Sequence, residues 1–213
     1  RDAQESRGLG DVYKRQESNF VAEIPVFVQQ AEQRIYNNVQ FPSLRKNVTG
    51  STSANNKYLG CPNDFLAVYS IAAIDATGAY EYLLNKDVNY IRQAYPNPNS
   101  DKGIPKYYAL FGAQTNDVNE LTFILGPTPD ATYSVELHYY YYPESIVTAS
   151  TTWLGDNFDS VLLYGSLVEA YTYMKGEQDM MALYNQKYME ALALAKRLGD
   201  GMEPVSYTHL RAH

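Results

Sequence analysis

Reactive side chains are scarce in this chain. Cys61 is the sole cysteine, so no disulfide can form within it. Of three histidines, His209 and His213 stand near the C-terminal end, which leaves His138 for the body of the sequence. A metal site needs several such ligands, and none can be gathered here from His and Cys. A Ser–His–Asp or Cys–His arrangement would have to run through His138. That residue precedes four consecutive tyrosines, 139–142, in a strand pattern, and reads as a surface or interface position. No apolar run approaches the roughly 20 residues that span a bilayer. No secretory leader is visible, and the glycines are scattered at turns rather than spaced as in a phosphate-binding loop.

Basic residues are also few, and the two ends distort the balance. Residues 1–16 contain SRGLGDVYKRQ, and residues 205–213 read VSYTHLRAH. Both resemble translated sequencing-adapter read-through, and the chain opens without Met. They are expected to be non-native, the other reading being a pair of disordered tails; the true protein is expected to extend at both ends. They hold five of the 17 Lys and Arg and three of the 24 Asp and Glu, which leaves 12 and 21 and a formal net charge of −9. A chain this acidic is repelled by phosphate backbones, and the sequence contains no basic run with interleaved aromatics.

One residue type is abundant. Tyr numbers 21, against seven Phe and one Trp. Tyrosine brings a large apolar ring with a polar tip at low entropic cost, which suits interfaces. It also favours strands, so a β-rich fold explains the excess equally well.

Residues 17–204 suit one domain with an insertion. Ile24, Phe27, Val28, Ala31 and Ile35 form one apolar helical stripe, with Pro25 in a first-turn position and Gln29, Gln30, Glu32, Gln33 and Arg34 mostly elsewhere; the predicted helix covers 24–38. Residues 47–57 are polar and read as a surface loop or ribbon. A β-rich insertion over 57–143 follows. Within it, residues 65–74 and 79–84 form a hairpin about Asp75–Gly78, and Asp87 caps a short helix to Ala94. Strands are expected at 107–112, 121–125 and 132–142. In the last, Tyr133, Val135, Leu137, Tyr139 and Tyr141 share one face. The other face begins polar and ends in Tyr140 and Tyr142, so something is expected to cover it.

Two helices close the chain, at 157–175 and 177–198, with Asp156 or Asn157 as the cap of the first and Gly176 as a C′ residue between them. The first carries two apolar stripes. One is Phe158, Val161, Leu162, Gly165 and Val168; the other is Leu163, Tyr164, Leu167, Ala170, Tyr171 and Met174. Asp159, Ser166 and Glu169 form its polar strip. A helix apolar over most of its girth is buried on more than one side, either by its own domain or by a neighbouring subunit. In the second helix Met181, Tyr184, Tyr188, Ala191, Ala195 and Leu198 make a narrow coiled-coil-like seam. The resulting fold class is α+β: a small helical bundle of one N-terminal and two C-terminal helices with an inserted antiparallel β-sheet.

In that order these segments resemble the head–tail adaptor (tail-tubular, gateway or head-completion) proteins of short-tailed bacteriophages. IPVFVQQAEQRI (24–35) resembles their opening helix. LGCPNDFLAVYS (59–70), with Pro62, Asp64 and Phe65, resembles the strand entry after it. GIPKYYAL (103–110) and LGPTPDATYSVELHYYYYPE (125–144) resemble the central sheet, and residues 153–192 the closing helical pair. The likeness covers nearly all of 17–198, and its specificity lies in the order of segments. It implies a structural virion protein at the head–tail junction, assembled in the host cytoplasm. Such a protein forms a ring, a dodecamer in most relatives, with portal and tail nozzle or fibre proteins as partners. DNA passes through its channel without specific binding, and acidic residues are expected to line that channel. No cofactor, metal, membrane contact or catalytic activity is implied.

The residues expected at protein interfaces are Tyr140, Tyr142, Trp153, Leu163, Tyr164, Leu167 and Tyr171, the last four against either core or neighbour. Two other functions remain open. A tail-associated receptor- or carbohydrate-binding β module would use exposed Tyr and the single Trp153 as stacking platforms, although Trp153 precedes a helix and also reads as an apolar anchor. A glycosidase would need two carboxylates across a cleft, and Asp156, Asp159 and Glu169 look instead like helix charges, the two aspartates being favoured at a helix start.

Overall fold

The computed structural model describes residues 2–113 and 121–201, with side chains described for residues 19–113 and 121–199. The segment 205–213, set apart above, lies outside the described residues, as do the side chains of residues 1–16. Among the described residues the chain forms six α-helices and eight strands, an α+β fold. They divide into two compact units, one of residues 2–43 with 143–201 and one of residues 44–113 with 121–142.

The second unit holds two four-stranded sheets. In the first, β1 (Arg45–Ser51), β8 (Ser134–Tyr140), β3 (Ala67–Ile74) and β4 (Tyr80–Tyr82) lie in that order, all antiparallel. In the second the order is β2 (Tyr58–Gly60), β7 (Thr122–Gly126), β6 (Tyr107–Phe111) and β5 (Leu84–Asn85), with only β5 and β6 parallel. The expected single sheet is therefore two. β8 alternates as its sequence predicts: Val135, Leu137 and Tyr139 are buried, and they meet Ile71, Ala73, Tyr108, Phe123 and Leu125 in one core fed by both sheets. β7 is buried along its whole length, because α2 (Val88–Ala94) covers its other side through Ile91, which packs on Ala109 and Ile124. The helix lies so close that a Cβ on Gly126 would stand 2.8 Å from Ile91 Cγ2. Asp87 caps α2 as expected, accepting from the Asn89 N–H at 2.7 Å. The β3–β4 turn is tied by Asp75 Oδ1, which accepts from the Thr77 and Ala79 N–H groups, with Gly78 at φ 87°.

Of the two readings of residues 47–57, ribbon holds for the first part and loop for much of the rest. β1 runs to Ser51 and pairs with β8 over seven positions, Arg45 opposite Tyr140 through Ser51 opposite Ser134. It is an edge strand exposed on both faces beyond Arg45, so no apolar alternation marks it in the sequence. The aromatic end of the outer β8 face is covered from within the unit: Tyr69 meets the Tyr140 ring edge-on at 5.9 Å, and the Arg45 guanidinium lies 4.8 Å above Tyr69.

The first unit is helical. α1 spans Asp2–Asn38 and places Pro25 in its interior, where the expectation began the helix at residue 24. Proline there removes one backbone donor and does not end the helix. After two short helices, α3 (Ile146–Ala149) and α4 (Trp153–Asn157), come α5 (Asp159–Met174) and α6 (Gln178–Gly201). Asp156 and Asn157 sit inside α4 and do not cap α5. Phe158 takes the N-cap position with no side-chain bond, while Asp159 accepts from the Ser160 N–H at 2.7 Å. At the other end Lys175, not Gly176, adopts the left-handed cap, at φ 52°. Gly176 follows and bonds back to Tyr171 O at 3.0 Å, its missing Cβ leaving room for the Tyr171 ring.

α5 packs on both α1 and α6. Gly165 is the point of closest approach: a Cβ there would lie 3.2 Å from both Ala31 Cβ and the Tyr188 ring. The α6 seam starts as predicted with Tyr184 and Tyr188. Ala195 is buried as predicted too, but burial has moved from Ala191 towards Leu192 and from Leu198 to Gly199, as it must when a straight helix of 3.6 residues per turn is set against a 3.5 repeat.

Asp64 anchors the first sheet. Its Oδ2 meets Lys46 Nζ at 2.6 Å and its Oδ1 accepts from the Tyr139 hydroxyl at 2.8 Å, which ties β1 and β8 to the approach to β3. The Lys46 bond, and after it the Tyr139 bond, hold the Asp64 carboxyl below the usual carboxylate range, against the opposing effect of burial. A folded-state value depressed in this way gives stability that is present above the unfolded value, about 3.9 for Asp, and lost as pH falls through the folded one. Asp64→Asn should therefore be less stable than the wild type at neutral pH, with the gap closing in acid. Denaturant titrations over a pH series check this, and a gap that does not change with pH contradicts it.

Candidate protein-interaction surface

The helical unit builds an open concavity from apolar side chains on both sides of the α1–α5 contact. Phe20, Ile24, Phe27 and Val28 come from α1; Leu162, Leu163, Leu167 and Ala170 come from α5. Ile146 and Gly155, of α3 and α4, close one end, and the groove holds about 500 Å³. Its polar lining is confined to Asp159 and Ser166, and the Ser166 hydroxyl is already spent on Leu162 O at 2.8 Å. Nothing in it pairs a nucleophile with a base.

The two stripes of α5 divide the labour. Val161, Leu162, Gly165 and Val168 are buried in the unit. On the second stripe Leu163 is 57 % exposed and Leu167 half-buried, so the groove is the part of α5 that the unit's own core leaves uncovered.

A buried carboxylate sets the groove's end wall. Glu32 is only 2 % exposed, and it accepts the backbone N–H of Ile146 at 2.9 Å. It was expected on the polar side of α1. Instead it supplies an acceptor to the first turn of α3, an N–H that the helix itself cannot satisfy. Nothing in the local pattern distinguishes it from Gln29, Gln30 or Gln33. Beside it, Arg34 of α1 forms an ion pair with Glu169 of α5, and its guanidinium stands 5.9 Å from the Tyr188 ring centre. Glu169 was read as solvent-facing strip and is instead largely covered. Burial raises the Tyr188 phenol above its ordinary value, with Arg34 opposing.

The other expected residues are dispersed. Trp153 packs between Phe41 and Phe158, with ring centres 5.1 and 5.5 Å away, an anchor at the base of α4. Tyr171 meets Tyr184 of α6 edge-on at 4.9 Å, and Tyr164 is half-buried. Tyr140 and Tyr142 belong to the β unit; Tyr140 is stacked as described and Tyr142 is exposed. Of the seven, Leu163 and Leu167 share one surface feature.

A second apolar surface was not foreseen. It lies on the β unit, where β4, β5 and α2 follow one another. Tyr82 is 65 % and Leu84 60 % exposed, Tyr80 stacks on Tyr82 at 6.1 Å, and exposed Tyr90 lies under Lys86 Nζ at 5.1 Å. β4 and β5 are edge strands of the two sheets. Its signal in the sequence is the YEYLL run, read above only as a hairpin return.

The carboxylates weighed for hydrolysis have other partners: Glu169 pairs with Arg34, and Asp159 bonds the first turn of its own helix. His138 lies on the outer face of β8, 3.8 Å from Glu136. Among the described residues no group of three His, Cys, Asp or Glu is placed to hold a metal ion, and no helix is long and apolar enough to cross a membrane.

A family model described as SU10 adaptor protein matches residues 5–208. The chain belongs to the SU10 adaptor protein family. That membership supports a phage head–tail adaptor, a structural component of the virion. No curated protein matches the adaptor significantly.

Removing the Glu32 carboxylate leaves a buried N–H unsatisfied and a void behind it. Glu32→Ala should lower the adaptor's unfolding free energy by about 1–3 kcal/mol, while Glu32→Gln, which keeps the acceptor, should lose less. Chemical denaturation compares the two, and equal losses would show that the Ile146 bond is not what Glu32 supplies.

Proposed function

We propose that this adaptor forms a ring between portal and tail nozzle in a short-tailed phage, a dodecamer on the virion that extends the DNA channel. The observation that carries the reading is how α5 is used: Val161, Gly165 and Val168 complete the helical core, while Leu163 and Leu167 stay outside it and line an open apolar groove. A monomer gains nothing by leaving that area in water, and large exposed apolar patches mark sites where proteins meet. A closed ring needs two different patches on each subunit, and the groove and the tyrosine-rich edge of the β unit are two such patches. The acidic balance favours free passage of DNA, since a negative channel wall releases no counterions on contact. Tail nozzle or fibre proteins would then dock on the ring's far side.

Mixing the purified adaptor with portal rings of the same phage and imaging the product by electron microscopy tests this. The expected result is a symmetric collar beneath the portal with one adaptor at each position. Portal rings that stay bare, or that carry adaptors without symmetry, contradict it. A free adaptor that is monomeric in solution is compatible, because the portal can template the ring.

A further inference from the structure

The groove of the helical unit is acidic as well as apolar, and this fixes what can fill it. Residues 17–33 and 143–174, which supply all of its walls, contain no Lys or Arg. They do contain Glu23, Glu144, Asp156 and Asp159. Asp159 lines the groove directly, and Glu23 falls on the same α1 face as Phe20 and Phe27 by its three- and four-residue spacing. An occupant must therefore bring apolar side chains flanked by cations.

The tyrosine-rich edge of the β unit has that chemistry. Tyr80, Tyr82, Leu84 and Tyr90 expose large apolar area within one short stretch of chain, with Lys86 beside Tyr90 and exposed Arg92 in the last turn of α2; of the two acidic residues in the stretch, Asp87 is engaged in capping α2 and Glu81 is half-buried. We propose that the groove of one adaptor receives the Tyr80–Arg92 edge of a second copy, with Leu163 and Leu167 against the tyrosines and Asp159 facing Lys86 or Arg92. The contact joins two different patches and is therefore heterologous, the type that propagates around a ring. It rests on the ring reading above and specifies the surfaces that make the ring. It also accounts for an odd placement: Tyr80, Tyr82 and Leu84 are exposed on the edge strands β4 and β5, where an unpartnered protein carries charge or proline instead.

Two single-cysteine adaptors, Leu163→Cys and Tyr82→Cys, each with Cys61→Ser, are mixed with portal rings and oxidised. Both sites are more than half exposed, so the fold should tolerate the changes. A disulfide-linked dimer is expected in the mixture, about tenfold above either variant alone, as residues in direct register across an interface require. A charge test runs alongside. Asp159→Lys and Arg92→Glu should each weaken assembly about tenfold, and the double variant should recover most of it. If a symmetric collar forms on the portal but no mixed disulfide appears and the charge variants assemble normally, this contact is wrong and the ring stands. If no collar forms and the adaptor never self-associates, the ring reading fails and this contact with it.

Discussion

The β1–β8 ladder is the constraint on which the rest of the structure depends. The chain leaves the helical unit after Ser43 and comes back to it at Pro143. Bringing the ends of so long an excursion together costs loop-closure entropy that nothing in the helices supplies. The ladder supplies it: Arg45 stands opposite Tyr140, and the Tyr141 N–H donates to Leu44 O at 3.0 Å, so the two ends of the insertion are hydrogen-bonded to each other. Lys46, Asp64 and Tyr139 lock the same end with charge-assisted bonds.

What those helices then do follows from small residues. Gly165 lets α1, α5 and α6 approach closely, Ala31 on one side and the Tyr188 ring on the other. The buried Glu32 and the Arg34–Glu169 pair set the register of α1 against the returning chain. Contact this close uses the narrow, small-residue side of α5. The broader side, with Leu163 and Leu167, stays open, and together with Phe20 and Ile24 it makes the groove. Core and docking surface are thus two faces of one helix, and the choice between them is made by where glycine and alanine stand.

Much of this was legible in the sequence. The alternation of β8, the Asp75–Gly78 turn, the Asp87 cap and the two closing helices all rest on local rules that tertiary structure did not override. Leu163 and Leu167 were picked out because a helix apolar around most of its girth always poses the question of what covers it. The failures were of another kind. β1 is an exposed edge whose pairing depends on a strand far along the chain, so its polar residues left loop and ribbon equally open. Glu32 and Glu169 were read as solvent-facing because a carboxylate's partner, when distant in sequence, leaves no local trace. The α6 seam was drawn too straight, missing the drift that carries burial from Leu198 to Gly199. Lys175 took the left-handed position one residue before the expected glycine, since Gly176 serves the Tyr171 ring.

Function follows from leftover surface rather than from chemistry. Of the carboxylates weighed for catalysis, Glu169 is paired with Arg34 and Asp159 bonds the first turn of its own helix, the family is one of adaptors, and the groove beside α5 is apolar with Asp159 in its lining. The central claim is that this face of α5 is built to be covered by protein. Hydroxyl-radical footprinting of Leu163, in the free adaptor and in intact virions, tests it most directly. Strong labelling of the free chain and loss of most of that labelling in the virion is the expected result; equal labelling in both would contradict it.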